Sequence, residues 1–233
     1  MIGTRWRNHL IAAAGLLAVA FTTSLASADM EPFGLEAVSS RYSDLIIIWR
    51  ELQLKFAEDE GEISRCRVER ACSSSAAKRL ISIVDEARHY DRRHLIGHLN
   101  RSINAAIPAT RANVPWLSPL AALSQAGDCK SYAIAKYLAL ADAGIDVRDR
   151  RLVMLRIATV PAELHLAVLV RDGERWLILD SRTLTIVDSA ATRQYVPLHE
   201  FDENGVRDFR GPTKQMLDTD ETDERSTFSK SRS

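Results

Sequence analysis

Neither sign of charge is in excess in this chain: 31 lysines and arginines stand against 31 aspartates and glutamates. With that balance, and with no basic stretch interleaved with aromatics, the electrostatic footprint of a nucleic-acid binder is missing. Nucleic acid is therefore not an expected partner. Long hydrophobic runs are scarce as well. Only residues 10–21 form one, and it falls short of the roughly 20 residues that span a bilayer. Cysteine is sparse, with three in 233 residues, so at most two can pair. His94 and His98 are four apart, but the intervening Glu of a zinc-binding H-E-x-x-H helix is absent and Arg92, Arg93 and Arg101 flank them. A solvated basic face accounts for them better than a metal does. His89 and His199 have no acidic or cysteine partner at useful spacing and are taken as structural. No metal site is expected.

The one apolar run has the layout of an export signal. Arg5 and Arg7 precede it, Leu10 to Phe21 form its core, and Ala26-Ser27-Ala28 offers a small-residue cleavage site. Cleavage after Ala28 is expected, with a retained N-terminal anchor as the alternative. Residues 29–210 suffice for one domain with a sizeable core. Residues 211–233 are polar and charged with little to bury, and a disordered tail is expected there. The mature chain should then lie outside the cytoplasm. In an oxidising compartment Cys66 and Cys72, close together in a polar connection, are expected to form a disulfide rather than remain two free thiols. Cys129 is left without a mate.

Cys129 lies in the most informative stretch, Gly127-Asp128-Cys129-Lys130-Ser131-Tyr132-Ala133-Ile134-Ala135-Lys136-Tyr137-Leu138-Ala139-Leu140. Gly127 gives backbone freedom for a sharp turn, Asp128 is an N-cap, and the helix runs to Ala143 before Gly144 stops it. Apolar residues occupy almost every face, which predicts burial. A cysteine in the first turn meets unpaired N–H groups and the positive end of the helix dipole. The dipole usually contributes about 0.3–1 kcal/mol and about 2 at best. A catalytic thiol needs its pKa lowered from about 8.5 into a range of roughly 3.5–7.5, at about 1.4 kcal/mol per unit. A histidine must supply most of the difference.

The candidate is His165, alone among aliphatics in Glu163-Leu164-His165-Leu166-Ala167-Val168-Leu169-Val170. Asp172-Gly173 marks a hairpin, and Arg175 to Asp180 returns along it. Closing that hairpin brings His165 near Asp180. Cys129 as nucleophile, His165 as base and Asp180 as the group orienting it form a thiol-hydrolase set. The backbone N–H of Cys129 is the first oxyanion donor, and Gln125 is a candidate second.

These residues resemble a family. GDCxxYAIAKYLAL, a lone His in a hydrophobic strand, then LDSRT are similar to the bacterial transglutaminase-like cysteine peptidases. Those are the LapG-type periplasmic proteases of the wider papain-like and transglutaminase-like group. The resemblance runs from about Phe33 to about Phe209. It implies the same roles for Cys129, His165 and Asp180, a periplasmic location, a protein or peptide substrate, and an inner-membrane regulatory partner. A Trp-x-x-Pro segment before the nucleophile is matched at Trp116, which either walls the substrate groove or is core. The chain departs from the pattern at Lys130-Ser131, where the family has Glu-Asp, and at Ser181, where it often has Asn. The family's acidic cluster there is associated with calcium. Exchanging a carboxylate for the Lys130 ammonium disfavours a hard cation, so no cofactor is expected.

The expected fold is α+β. Helices over Ser43–Glu58, Ser74–Tyr90 and Arg92–Ala106 form a helical N-terminal half, and Leu120–Gln125 is a short lead-in. The nucleophile helix packs on an antiparallel sheet of Arg151–Ile157, the hairpin arms, Leu184–Val187 and Tyr195–Leu198. A monomer is expected. The function indicated is an exported cysteine peptidase. Acyl transfer to an amine, as in transglutaminases, and an inactive peptide-binding relative are the alternatives.

Overall fold

The computed structural model describes residues 31–69 and 72–210. The expected signal peptide, 1–28, and polar tail, 211–233, lie outside the described residues. The chain is α+β, five helices on a seven-stranded antiparallel sheet among the described residues. Strand β1 (Glu36–Ser39) comes first. Helices α1 (Ser43–Val68), α2 (Ser75–Ala87), α3 (Arg92–Ala106), α4 (Pro119–Ser124) and α5 (Cys129–Asp142) follow. Then come β2 (Arg150–Ile157), β3 (Val160–Asp172), β4 (Arg175–Leu179), β5 (Val187–Asp188), β6 (Tyr195–Asp202) and β7 (Gly205–Arg210). The strand order is β1-β7-β6-β2-β3-β4-β5.

Helix α5 is the centre of the molecule. Every residue from Ser131 to Leu140 is buried, as an all-round apolar helix requires. It packs against α2, α3 and α4 on one side and β2 and β3 on the other. The middle strands are covered on both faces, which explains their near-continuous apolar sequence. Leu152, Leu166, Val168, Val170, Leu177 and Leu179 belong to the helix-side core. Val153, Leu155, Ala167, Leu169, Trp176 and Ile178 join Tyr195 and Phe209 in a second cluster, covered by Phe33, Leu35 and Ala37.

Several expectations are corrected. Helix α1 continues well past Glu58 to Val68. Its second half is mostly polar, but Ile63 is buried there and Asp59 accepts the Leu120 N–H of α4 at 2.7 Å. Tertiary contacts extend the helix where apolar spacing stops. Cys66 is thus in the last turn of α1, not in a loop, and is disulfide-bonded to Cys72 across a Cα–Cα distance of 4.7 Å. Strands β1 and β7 were not expected; β1 is paired over its whole length with Arg207–Arg210 of β7. The predicted Leu184–Val187 strand is the two-residue β5, and Leu184 is exposed. His199 does have an acidic partner: β6–β7 pairing sets it opposite Asp208, with Nδ1 2.8 Å from Oδ1.

Candidate active site

Asp128 caps α5, its Oδ1 accepting the N–H of Lys130 at 3.0 Å and of Ser131 at 3.4 Å. Cys129 is therefore the first helical residue. Gly127 is needed for a reason other than turn freedom. A Cβ there would lie 2.4 Å from the Ser131 Cβ and 3.0 Å from Ile107, so the chain enters the helix through a gap with no room for a side chain. Its N–H donates to the Pro108 carbonyl and its carbonyl accepts from Thr110, pinning the approach.

The β3–β4 hairpin turns through Gly173-Glu174, with Asp172 paired to Arg175 and Gly173 at φ 64°. That is one residue beyond the predicted Asp172-Gly173 centre, and only a glycine takes this φ without strain. The last pair at the other end is Val168 with Leu179, so Asp180 stands just past β4, diagonal to His165. Diagonal neighbours across a sheet are within reach of long side chains. His165 Nε2 is 2.7 Å from Asp180 Oδ1, and both residues are buried.

The same structure brings Cys129 against His165. Burial pushes the thiol pKa up, but the His165 ring and the Leu166 backbone N–H outweigh it and hold the thiol below its ordinary range. For His165, burial works downward, while Asp180 and then Cys129 raise it to about 9. Burial likewise opposes ionisation of Asp180, yet His165, Tyr195 and the Arg182 N–H keep its carboxyl well below the usual range. Nε2 is committed to Asp180, which leaves Nδ1 as the nitrogen able to exchange a proton with the thiol. The thiol shift and the imidazole shift both run in the direction of a thiolate–imidazolium pair.

Five donors converge on Asp180. Besides His165, the Arg182 N–H reaches Oδ1 at 2.8 Å and the Tyr195 hydroxyl donates to Oδ2. Its backbone carbonyl accepts from Lys136 Nζ at 2.9 Å and Asn104 Nδ2 at 3.1 Å. Burial and then the Asp180 bond raise the Tyr195 phenol, so it stays a donor. None of Tyr195, Lys136 or Asn104 was singled out from the sequence. Lys136 did leave a signal, a cation in a helix with no polar face; Tyr195 and Asn104 left none. Gln125 closes α4 and is exposed, four residues before Cys129. Trp116 packs on the helical core, its ring centroid 6.3 Å from that of Phe201.

The site defines a class of fold: an antiparallel sheet carrying a His and an Asp on adjacent strands, packed on a central helix that begins at a cysteine. Among solved structures, the fold is similar to that of LapG from Legionella pneumophila. The chain matches the calcium-bound form with a TM-score of 0.52 at 18% identity, over 64% of this chain and 86% of that one. The EGTA-treated form gives 0.54 at 19%, over 66% and 87%. A third LapG structure gives 0.53 at 20%, over 72% and 96%. At these identities the likeness establishes the fold, which is the LapG fold that the sequence resemblance implies. No protein-family model matches the chain, nor does any curated protein.

One of those LapG structures holds calcium, which raises the question of fit here. Calcium takes six to eight oxygen ligands. Asp128 Oδ1 is occupied by the two helix N–H groups, and Lys130 Nζ donates to Oδ2. The same ammonium donates to Asn113 Oδ1 at 2.9 Å. Among the described residues no group of three or more His, Cys, Asp or Glu could hold a metal ion. The residues around Asp128 do not fit calcium: an ammonium already occupies the space between their oxygens.

Proposed function

We propose that the protein is an exported cysteine peptidase that hydrolyses amide bonds of a protein outside the cytoplasm. The observation that carries this is the buried His165–Asp180 contact set against a cysteine at the mouth of α5. The Cys129 thiolate adds to the scissile carbonyl carbon, and the resulting oxyanion is met by the Cys129 N–H and the Gln125 side chain. The His165 imidazolium gives its proton to the departing amine as the C–N bond breaks, leaving a thioester on Cys129. Neutral His165 then takes a proton from water, the hydroxide adds to the thioester carbonyl, and the thiolate departs. Product acid is released and the imidazolium is restored. Asp180 holds the ring and stabilises its charge throughout.

Fold-level likeness to LapG and the sequence resemblance support a periplasmic location, with residues 1–28 as the cleaved leader. An inner-membrane protein controlling access to substrate belongs to the same proposal. Calcium has no part in it, because Lys130 supplies the local positive charge. In the test, iodoacetamide is applied across pH and the modified residue is found by mass. With Cys66 and Cys72 held in their disulfide, Cys129 is expected to be the residue modified, at a rate whose midpoint lies below the ordinary thiol value and is unchanged by EGTA. The exported proteins of cells bearing the wild type are then compared with those bearing Cys129→Ala. Cleavage products present only with the wild type support a peptidase. A midpoint at the ordinary thiol value rejects it in favour of an inactive binding protein, and amine-linked products reject hydrolysis in favour of acyl transfer.

A further inference from the structure

Lys136 is fully buried, one of the largest side chains among the described residues to be so. A buried ammonium is costly unless it is matched, and core packing needs no lysine here. Burial pulls its pKa down to about 7, with the Asp180 carboxylate opposing that shift. Either protonation state still carries an N–H to donate. Its one hydrogen-bond partner among the described residues is the Asp180 carbonyl, at 2.9 Å.

The position along α5 is telling. Lys136 follows Cys129 by seven residues, a spacing that returns to within about 20° of the same helix face and rises about 10 Å. One face of one helix therefore points Cys129 at His165 and Lys136 at the residue behind His165. Helix α3 contributes a matching face. Asn100 and Asn104 are one turn apart on it; Asn104 Nδ2 donates to the same carbonyl at 3.1 Å. Asn104 Oδ1 and both polar atoms of buried Asn100 have no hydrogen-bond partner among the described residues. Buried amides of this kind are normally satisfied, and a lysine sharing an acceptor with Asn104 has further N–H groups to offer. Two helices thus converge on a single backbone oxygen just past the end of β4.

We propose that Lys136 is a positioning residue: it clamps the Asp180 carbonyl, so that the helix carrying Cys129 also sets where the Asp180 carboxylate meets His165. This rests on the thiol-hydrolase reading above, and the experiment separates the two. The rate of iodoacetamide modification of Cys129 is measured against pH in the wild type, in Lys136→Met and in Lys136→Gln. In the wild type a midpoint below the ordinary thiol value supports the reading; an ordinary midpoint overturns it independently of Lys136. With the reading intact, Lys136→Met is expected to raise the midpoint by about one pH unit, cutting modification about tenfold at pH 6. Lys136→Gln, which keeps an N–H at shorter reach, is expected to recover part of that loss. A lysine that only fills space would leave the midpoint in place while Tm changes, and that outcome overturns the clamp. Should Lys136→Met fail to fold, Asn104→Leu removes the other donor on the same carbonyl. It has to move the midpoint upward too, and an unmoved midpoint overturns the proposal.

Discussion

The sheet carries two clusters of buried ionisable side chains, one at Asp180 and one at Glu200. In the second, Glu200 is fully buried between Arg151 at 3.0 Å and Arg207 at 2.6 Å. Arg207 also reaches Asp202 at 2.7 Å, and Arg151 reaches Glu31 at 2.7 Å. Burial pushes the Glu200 carboxyl up and the two arginines pull against it. Guanidinium groups stay charged at any pH a protein meets, so this cluster has cations with nothing to release. The first cluster is built instead from a histidine held at about 9, a lysine held at about 7 and a cysteine held below its ordinary range. Burial together with charge is common to both; the ability to exchange a proton is confined to one. That difference separates a fastening from a candidate reaction site.

The comparison can be broken most severely at Glu200. Glu200→Ala leaves two arginines inside the protein without their shared partner, and a loss of about 3–5 kcal/mol is expected, read from the urea midpoint. The iodoacetamide midpoint of whatever remains folded should not move. A shift there would show that the two clusters are coupled. Asp180→Asn tests the other side. It keeps the shape but removes the charge next to His165, and the thiol midpoint should rise by about 1–3 pH units with a smaller change in urea stability. Equal losses of stability from the two substitutions would erase the distinction.

The subtlest test is pH. His165 binds its proton more tightly when folded, at about 9 against an ordinary 6.5. Its contribution to stability is therefore full below about 6.5 and is lost as pH rises through about 9. Asp180, held below its ordinary 3.8, contributes above that value and loses its contribution as pH falls below it. Lys136, held at about 7, and Cys129, held below its ordinary range, work the opposite way over that interval, so the part due to His165 is read as a decline of the wild type relative to His165→Gln in urea titrations at pH 6, 8 and 10. A decline of the same size in the variant would assign it elsewhere.

Local signals in the sequence were read well. The Asp128 cap, the Cys129 start of α5, its burial and the Gly144 stop, with φ 88°, all rest on residues adjacent in the chain. The hairpin that brings His165 and Asp180 together was legible because a glycine marks its turn, although the register is displaced by one residue, which makes the two residues diagonal rather than opposite. What escaped depends on distant partners. The second half of α1 is held by α4, β1 exists only through β7, and His199 gains Asp208 only through strand pairing. Gly127 was chosen correctly for the wrong reason, since the crowding by Ser131 and Ile107 becomes visible only when the helix is folded back on the preceding loop. The Tyr195 hydroxyl and the Asn104 amide reach Asp180 from β6 and α3, and no spacing announces them.

The far face of the sheet is closed by the segment that carries Phe33, Leu35 and Ala37, with Glu31 tied to Arg151 and the Phe33 N–H bonded to Ser189. This strap begins almost directly after Ala28, the proposed end of the leader. Processing and folding are thus neighbours in sequence, and tolerance to trimming should end abruptly at Glu31. A cut a few residues beyond Glu31 would take away the cover of Val153, Leu155 and Leu169 and leave a greasy, aggregation-prone surface on an otherwise finished fold.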